Sequence, residues 1–513
     1  MIPVTKNQIP VTKNQIIELT IHSLGHEGQG IGKYKDFTIF IAEALPGETI
    51  LAKIIKVQKN YAIGKLLEIK SQQDIETESN MSSLNLMRGN MRITPRCEVA
   101  NRCGGCQIQH MNYEAQLLFK QQVVIDNLER IGKIHNIKVH PTIGMDNPWN
   151  YRNKAQVPIG SVDNRELTEQ YNQQRKHNER GKLNKLISGF YAARSHTIIP
   201  FDTCAIQHQQ NDSLVTAVRN IAEKYGVTAY NEQTHKGLLR HIVVRTALKT
   251  EQVMVVLVIN GNSLPNQSNI IEEIAALSSN IKSICININK TKFNTIFGDK
   301  TKVIYGTDKI IDYIGDIRFG ISARSFYQVN PVQTQILYSK ALEYAGLTGN
   351  ETVIDAYCGI GTITLFLAQK ARKVYGVEIV PEAIEDARYN AELNGINNVE
   401  FAEAKAEEWI PQLYSKLAKQ QIDGDDNSGN NNLPQVIVVD PPRKGCDQEL
   451  LDTIIAMKPE RVVYVSCNPS TLARDLRILV DGGYQVKEVQ PVDMFPQTAH
   501  VECVCLLVNN INA

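Results

Sequence analysis

Thr352 to Leu365 read TVIDAYCGIGTITL, an apolar run that breaks at two glycines and resumes as a second apolar run. Such a stretch predicts a strand entering a helix through a tight turn, which brings the backbone close to a ligand at a helix N-terminus. Working outward, the pattern repeats: KVYGVEI from Lys373, PEAIEDARYNAELNG from Pro381, PQVIVVD from Pro434 and RVVYVSC from Arg461. Strands alternating with helices at this spacing predict a parallel, doubly wound α/β sheet. Ligands of such sheets lie just beyond the carboxyl ends of the strands, so the residues at those ends are the candidate site.

Gly359 and Gly361 mark the turn after the first strand, and Glu378 ends the second strand nineteen residues after Gly359. An acidic residue there is placed to accept hydrogen bonds from a ribose. The complete G-x-G-x-x-G fingerprint and a second mononucleotide half are missing, which favours one adenosyl ligand, S-adenosylmethionine, over a nicotinamide dinucleotide.

Cys467 ends RVVYVSC and is followed by NPSTLARDL; Asp440 ends QVIVVD, and Glu502 lies in TAHVECVCLLV. A cysteine after a strand is most often a small core hydrophobe. Two carboxylates and a cofactor turn at neighbouring strand ends argue for chemistry instead. Among methyl acceptors, an amine needs only positioning, whereas C5 of a pyrimidine becomes nucleophilic only after something adds to C6. A thiolate suits that addition, and a carboxylate suffices to remove the C5 proton afterwards. Cys467 is then the nucleophile, Glu502 the base, and Asp440 a carboxylate lining the pocket; spacing alone does not decide between the two carboxylates for the proton.

The 513-residue chain is too long for one core and predicts several domains. Its formal net charge of +1 confines any nucleic-acid surface to a local patch. One candidate runs from Arg152 to Arg194, with nine Lys/Arg against four Asp/Glu and Tyr171, Phe190 and Tyr191 interspersed. No apolar run is long enough to span a bilayer and no basic-then-apolar leader opens the chain, so a cytoplasmic protein is expected. IPVTKNQ occurs at residues 2–8 and again at 9–15, a duplicated tail expected to be loose. From residue 16 to about 73, short β-type runs separated by glycines predict a small β-barrel. A central mixed α+β region follows (74–315), then the α/β domain (316–513), interrupted by a polar loop at 420–434 expected to be disordered.

Ten cysteines that cluster unevenly point to metal binding and catalysis in a reducing compartment. Cys97, Cys103 and Cys106 have the spacing C-x5-C-x2-C, and Cys204 in IPFDTCAIQH is the best fourth ligand, since the other thiols fall on catalytic or apolar strand segments. Spacing permits a structural zinc or an iron–sulfur cluster.

SFYQVNPVQT, DAYCGIGT, VVDPPRKG, VSCNPSTLARDL and PQTAHVE occur in this order between Arg318 and Val508. Together they resemble the RNA uracil-C5 methyltransferase family, and GHEGQGIGK with the turn Pro46 to Glu48 resembles its TRAM barrel, an oligonucleotide-binding-type module. The resemblance implies a Rossmann-like methyltransferase domain in which Gln328, Tyr357, Glu378 and Asp440 contact S-adenosylmethionine, Cys467 attacks C6 and Glu502 accepts the proton. It implies a [4Fe-4S] cluster on Cys97, Cys103, Cys106 and Cys204, structural or RNA-positioning. YRNKAQ from Tyr151 and GLLRHIVVR from Gly237 resemble the family's central region, which inclines the Arg152 patch towards RNA. Barrel plus cluster favours 23S ribosomal RNA over the T-loop uridine of transfer RNA, and a monomer is expected. One departure is Gln497, where many members carry histidine.

Overall fold

The computed structural model describes residues 10–72, 91–161, 185–422 and 433–510. The first copy of the tail repeat, the connector beyond 72, the middle of the basic stretch and residues 423–432 of the expected loop lie outside the described residues.

Ile16–Leu24, Gly30–Tyr34, Phe37–Ala42, Glu48–Val57 and Tyr61–Gln72 (β1 to β5) close into a barrel in the order β1-β2-β3-β5-β4. Alternation drives closure: Ile17, Leu19, Ile21, Ile39, Ile41, Ile50, Ala52 and Ile54 all turn inward and are buried. Glu48 of the Pro-Gly-Glu turn is fully buried and receives Leu45 N–H at 2.8 Å and Arg92 Nε at 2.5 Å, which ties the barrel to the segment after the connector.

That segment carries the cysteines and Tyr113–Arg130 (α1), capped by Asn112, whose side chain accepts from Ala115 N–H at 2.8 Å. Next come Lys138–Val139 (β6), Lys154–Ser161 (β7), Leu186–Tyr191 (β8), Ile198–Pro200 (β9), Leu239–Thr246 (β10), Val253–Ile259 (β11), Ile281–Ile288 (β12) and Lys300–Gly306 (β13). All but β6 form a seven-stranded sheet ordered β13-β12-β11-β10-β7-β8-β9. Every residue of β10 and β11 is buried because both faces are covered. Gln209–Lys224 (α2) and Gln267–Ala275 (α3) cover one face; Val243, Met254, Val256 and Val258 on the other join the core of the C-terminal domain.

A hairpin, Lys309–Ile314 (β14) and Ile317–Ser322 (β15), leads to Pro331–Ala345 (α4). Thr352–Ala356 (β16), Thr362–Ala368 (α5), Lys373–Glu378 (β17), Pro381–Leu393 (α6), Val399–Glu403 (β18), Ala406–Ile422 (α7), Val436–Val439 (β19), Gln448–Met457 (α8), Arg461–Ser466 (β20), Pro469–Asp481 (α9), Tyr484–Val492 (β21) and Glu502–Asn509 (β22) complete the α/β sheet. Helix α7 runs on to Ile422, inside the stretch expected as loop from 420. The strand order is β18-β17-β16-β19-β20-β22-β21-β6. It reverses between β16 and β19, the switch point at which the crevice opens. The edge strand β6, from far upstream, pairs parallel with β21.

Helix α1 lies against α9 and β21 and clamps the loop between β21 and β22. Lys120 and Asp493, both fully buried, form an ion pair there; Tyr113 OH donates to Asp493 at 2.8 Å and Lys120 also donates to Phe495 O at 3.1 Å. Removing one partner of a buried pair leaves an uncompensated charge. Lys120→Met should therefore lower unfolding free energy by about 3–5 kcal/mol, read from the denaturation midpoint; a midpoint equal to the parent's would show that Asp493 is held without it.

Candidate active site

Four parallel strands and one antiparallel strand bring the predicted residues to one edge of the sheet. Tyr357, Glu378, Asp440 and Cys467 sit at the carboxyl ends of β16, β17, β19 and β20. Glu502 opens β22, which runs antiparallel to β20, so its first residue lies at that same edge. The register pairs Ser466 with Cys503, which sets Cys467 and Glu502 beside each other.

Local chemistry fixes the turn that carries the thiol. Asn468 caps α9 by accepting from Ser470 N–H at 3.1 Å, and Pro469 occupies the first helical turn. The Asn468 amide donates to Arg443 O at 3.0 Å and Thr471 Oγ1 to the same carbonyl at 3.2 Å, which laces the SCNP turn to the DPPR loop. Behind them, buried Asp475 accepts from Tyr464 OH at 2.6 Å, Cys446 N–H at 2.8 Å and Arg474 Nε at 2.7 Å.

The crevice is lined by buried carboxylates. Burial, with the charge of Asp440 second, pushes the Glu502 carboxyl up to about 8, against the pull of Arg443. Burial lifts Asp440 to about 6. Burial, then the charges of Glu502 and Asp440, push the Cys467 thiol up to about 11, again opposed by Arg443. Asp355, buried and bonded by Thr364 Oγ1 at 2.6 Å, is raised by burial to about 7. Arg443, directly after Asp-Pro-Pro, is thus the cation facing both reactive groups; sequence reading passed over it, although its position in the motif was a usable signal.

In the other half of the crevice, Glu378 receives Gly359 N–H at 3.2 Å, Ile379 N–H at 2.8 Å and Val380 N–H at 3.0 Å, so its carboxylate orders the rim. Tyr357 has φ +68°, a left-handed backbone uncommon for an aromatic residue and of the kind that accumulates at functional sites. Its buried hydroxyl has no hydrogen-bond partner. Gln328, buried, lies in the loop entering α4, a helix that packs on β19, β20 and β22. That loop is fastened by the central sheet: Asn153 Nδ2 donates to Gln328 O at 3.1 Å and Arg245 Nη2 to Ser325 O at 2.7 Å.

Gln497, the departure from histidine, is buried and pairs reciprocally with Gln116 of α1, each contact 3.0 Å. Its carbonyl accepts Gln107 N–H and Ile108 N–H, both at 3.2 Å, and Gln107 Oε1 accepts Ala499 N–H at 3.3 Å. The cysteine segment is therefore bonded to the loop that ends in Glu502. The barrel reaches this point too: Gly28, at φ +79°, has no room for a Cβ, which would stand 2.4 Å from Ile108 Cγ2.

Cys97, Cys103, Cys106 and Cys204 line one small cavity of about 30 Å³, walled by Phe190, Phe201 and Ile206. Burial raises Cys106 to about 11 and Cys204 to about 12, and the thiols raise one another. Among the described residues no group of three or more His, Cys, Asp or Glu is drawn together tightly enough for a single metal ion. A tetrathiolate zinc would need all four sulfurs about 2.3 Å from one point; four thiols at the wall of one cavity are the donor type that a thiolate-ligated centre takes.

The fold and the crevice define an S-adenosylmethionine-dependent methyltransferase joined to a nucleic-acid-binding type of barrel. Residues 201–510 match the family model described as tRNA (Uracil-5-)-methyltransferase and residues 10–67 match the TRAM domain. An uncharacterized RNA methyltransferase of Halalkalibacterium halodurans is 52% identical over 503 residues, 98% of this chain and 99% of that protein. Another from Listeria innocua is 50% identical over 491 residues, 96% of this chain and 97% of its own. The crystal structure of Pyrococcus abyssi tRNA (uracil-54, C5)-methyltransferase with S-adenosyl-L-homocysteine superposes with a TM-score of 0.70 at 24% identity, covering 96% of this chain and all of that one. The chain belongs to the RNA uracil-C5 methyltransferase family and is an S-adenosylmethionine-dependent RNA methyltransferase with a TRAM domain. Among the described residues no helix is long and apolar enough to cross a membrane.

Proposed function

We propose that this enzyme makes 5-methyluridine in 23S ribosomal RNA, in the cytoplasm, through a covalent link between Cys467 and C6 of the target uracil. The observation that carries the reading is the pairing of a thiol and a buried carboxylate, Cys467 beside Glu502, at the mouth of the cofactor crevice. The target must leave its stack to enter, because C5 and C6 are inaccessible within one.

S-adenosylmethionine supplies an electrophilic methyl on a sulfonium, a cation suited to a crevice lined by Asp440, Asp355 and Glu378. Gln328, Tyr357, Glu378 and Asp440 would hold it. Cys467, as thiolate favoured by Arg443, adds to C6 and sends the C5–C6 π pair into an enolate. C5 would then take the methyl group that S-adenosylmethionine supplies, the sulfur–methyl bond breaking with its pair left on sulfur so that S-adenosylhomocysteine departs. Glu502 then takes the C5 proton, the C5–C6 double bond re-forms, and the S–C6 bond breaks to return Cys467. Ionised Glu502 is required, so turnover should rise with pH through about 8 as its carboxyl ionises, and the Cys467 thiol, held near 11, should carry the rise further.

Cys97, Cys103, Cys106 and Cys204 would hold a [4Fe-4S] cluster that would brace the segment bonded to Gln497; methyl transfer by these residues is redox-neutral and needs no electron from it. Anaerobically purified protein should be brown with about four irons per chain, and Cys106→Ser should lose most of them; a colourless sample binding one zinc would overturn the assignment. Barrel and cysteine cluster together support ribosomal RNA. A second reading, the T-loop uridine of transfer RNA, is favoured by the Pyrococcus abyssi enzyme, which acts on tRNA and whose whole chain superposes. Mapping 5-methyluridine in both RNAs from a deletion strain decides: loss from ribosomal RNA alone supports the proposal, and loss from transfer RNA alone replaces it.

A further inference from the structure

The loop from Asn289 to Asp299, between β12 and β13, is built with a care that its solvent position does not explain. Asn289, fully buried, donates from Nδ2 to Thr295 O at 2.7 Å and Ile296 O at 2.9 Å, and its Oδ1 accepts Thr291 N–H at 3.1 Å. The loop is thereby wrapped around one side chain. Buried Arg240 holds it from below, donating to Thr291 O at 2.6 Å and Phe293 O at 3.2 Å while its guanidinium lies 4.3 Å from the centre of the Tyr230 ring. Asn287 closes the far end through Gly298, donating to its carbonyl at 2.9 Å and accepting its N–H at 2.7 Å.

What this framework presents is Phe293, 76% exposed at the tip. A lone exposed phenylalanine is ordinary. A preorganised loop that aims one outward is not, because its conformational entropy has been removed before any partner arrives. Lys290 and Lys292 flank the ring and Lys300 and Lys302 follow on β13, all exposed and none in an ion pair among the described residues. The loop is also joined to the methyltransferase domain. Ile296 and Phe297 pack against the core that the central sheet and the methyltransferase domain share, and Arg324, four residues before Gln328, donates to Asp299 O at 2.9 Å.

We infer that this loop is a stacking platform for unpaired RNA flanking the target uridine, with a base on Phe293 and the backbone phosphates on Lys290 and Lys292. The inference rests on the RNA methyltransferase reading and extends it to a surface outside the crevice. The chemistry matches single-stranded recognition: an aromatic face accepts any base, and unpaired lysines neutralise the strand. It also answers a need of the reaction, since a flipped uridine has neighbours that lose their stacking partner and must be held elsewhere.

The test uses the full-length protein and an RNA fragment that the parent methylates, with binding measured apart from turnover. Phe293→Ala should weaken RNA binding by roughly tenfold and raise KM by a similar factor with kcat and S-adenosylhomocysteine affinity unchanged. Phe293→Trp should restore affinity, and its fluorescence should be quenched when RNA is added. Lys290→Gln with Lys292→Gln should reduce the slope of log affinity against log salt by about 1.4. Parent-like affinity and slope in all these variants would overturn the platform. So would a changed sedimentation of Phe293→Ala at unchanged RNA affinity, which would seat a second copy there instead. Failure of the parent to form 5-methyluridine would count against the reaction, while the binding data would still judge the platform.

Discussion

Cys467→Ala should transfer no measurable methyl group from labelled cofactor to RNA, a loss of roughly 10⁴-fold or more, while its affinity for S-adenosylhomocysteine stays near the parent's. Nothing nearby can substitute. Cys503 and Cys505 are sealed within β22 at 0% exposure, and Cys446 is buried in the network around Asp475. Without addition at C6 the C5 carbon has no electron pair to offer, so cofactor and RNA would bind side by side and not react. Labelled 5-methyluridine from the alanine protein at more than a trace would sink the covalent route, whatever the affinity for either ligand.

Glu502→Gln should separate the two halves of the reaction. Addition and methyl transfer need the thiol; release needs the base. The glutamine protein should accumulate a denaturation-resistant complex with methylated RNA and turn over about 10²- to 10⁴-fold more slowly. The parent should give the same kind of complex on 5-fluorouridine RNA, because fluorine cannot leave as a proton; active parent enzyme without that complex would remove Glu502 from the role. The same substitution should change stability in a defined pH window. Burial holds the folded Glu502 carboxyl near 8, whereas the unfolded one titrates near its ordinary value of about 4.3. Between these values the folded chain keeps a proton that the unfolded chain has released. Stability is therefore full below about 4.3 and falls by about 1.4 kcal/mol per pH unit until the folded carboxyl ionises. Glutamine does not titrate, so the variant should melt above the parent at pH 8, with the gap closing towards pH 4.5. Equal melting temperatures at pH 8 would mean that the carboxylate is solvated in the folded protein.

Most of the crevice was legible because local patterns end where it begins. Glu378, Asp440 and Cys467 each close a short apolar run, and a parallel sheet must place all such ends on one edge; Tyr357 and Gln328 came from the resemblance alone. Glu502 was different. Its sequence reads as one more carboxylate at a strand's carboxyl end, whereas it begins a strand, and only the antiparallel direction of β22 brings it to the same side, a fact that no window of local sequence contains. The contribution of α1 was beyond reach for the same reason. Lys120 is 373 residues from Asp493, Gln116 is 381 from Gln497, and each reads locally as an ordinary polar position on an amphipathic helix. The pair β6, two residues of unremarkable Lys-Val, has no signal of its own and is a strand only because β21 offers it an edge.

The junction of Gly28, Ile108 and Ala499 has a consequence for how the molecule becomes active. During synthesis the barrel and the cysteine segment leave the ribosome long before the loop that bears Glu502. Gln107 must wait for Ala499, 392 residues later, to find its partner. Contacts of such separation close slowly and last, because the chain must surrender its loop entropy before they reward it. The base therefore reaches its place only in the finished chain, so that a nascent or truncated protein can carry a formed barrel and an exposed thiol without being able to complete the reaction.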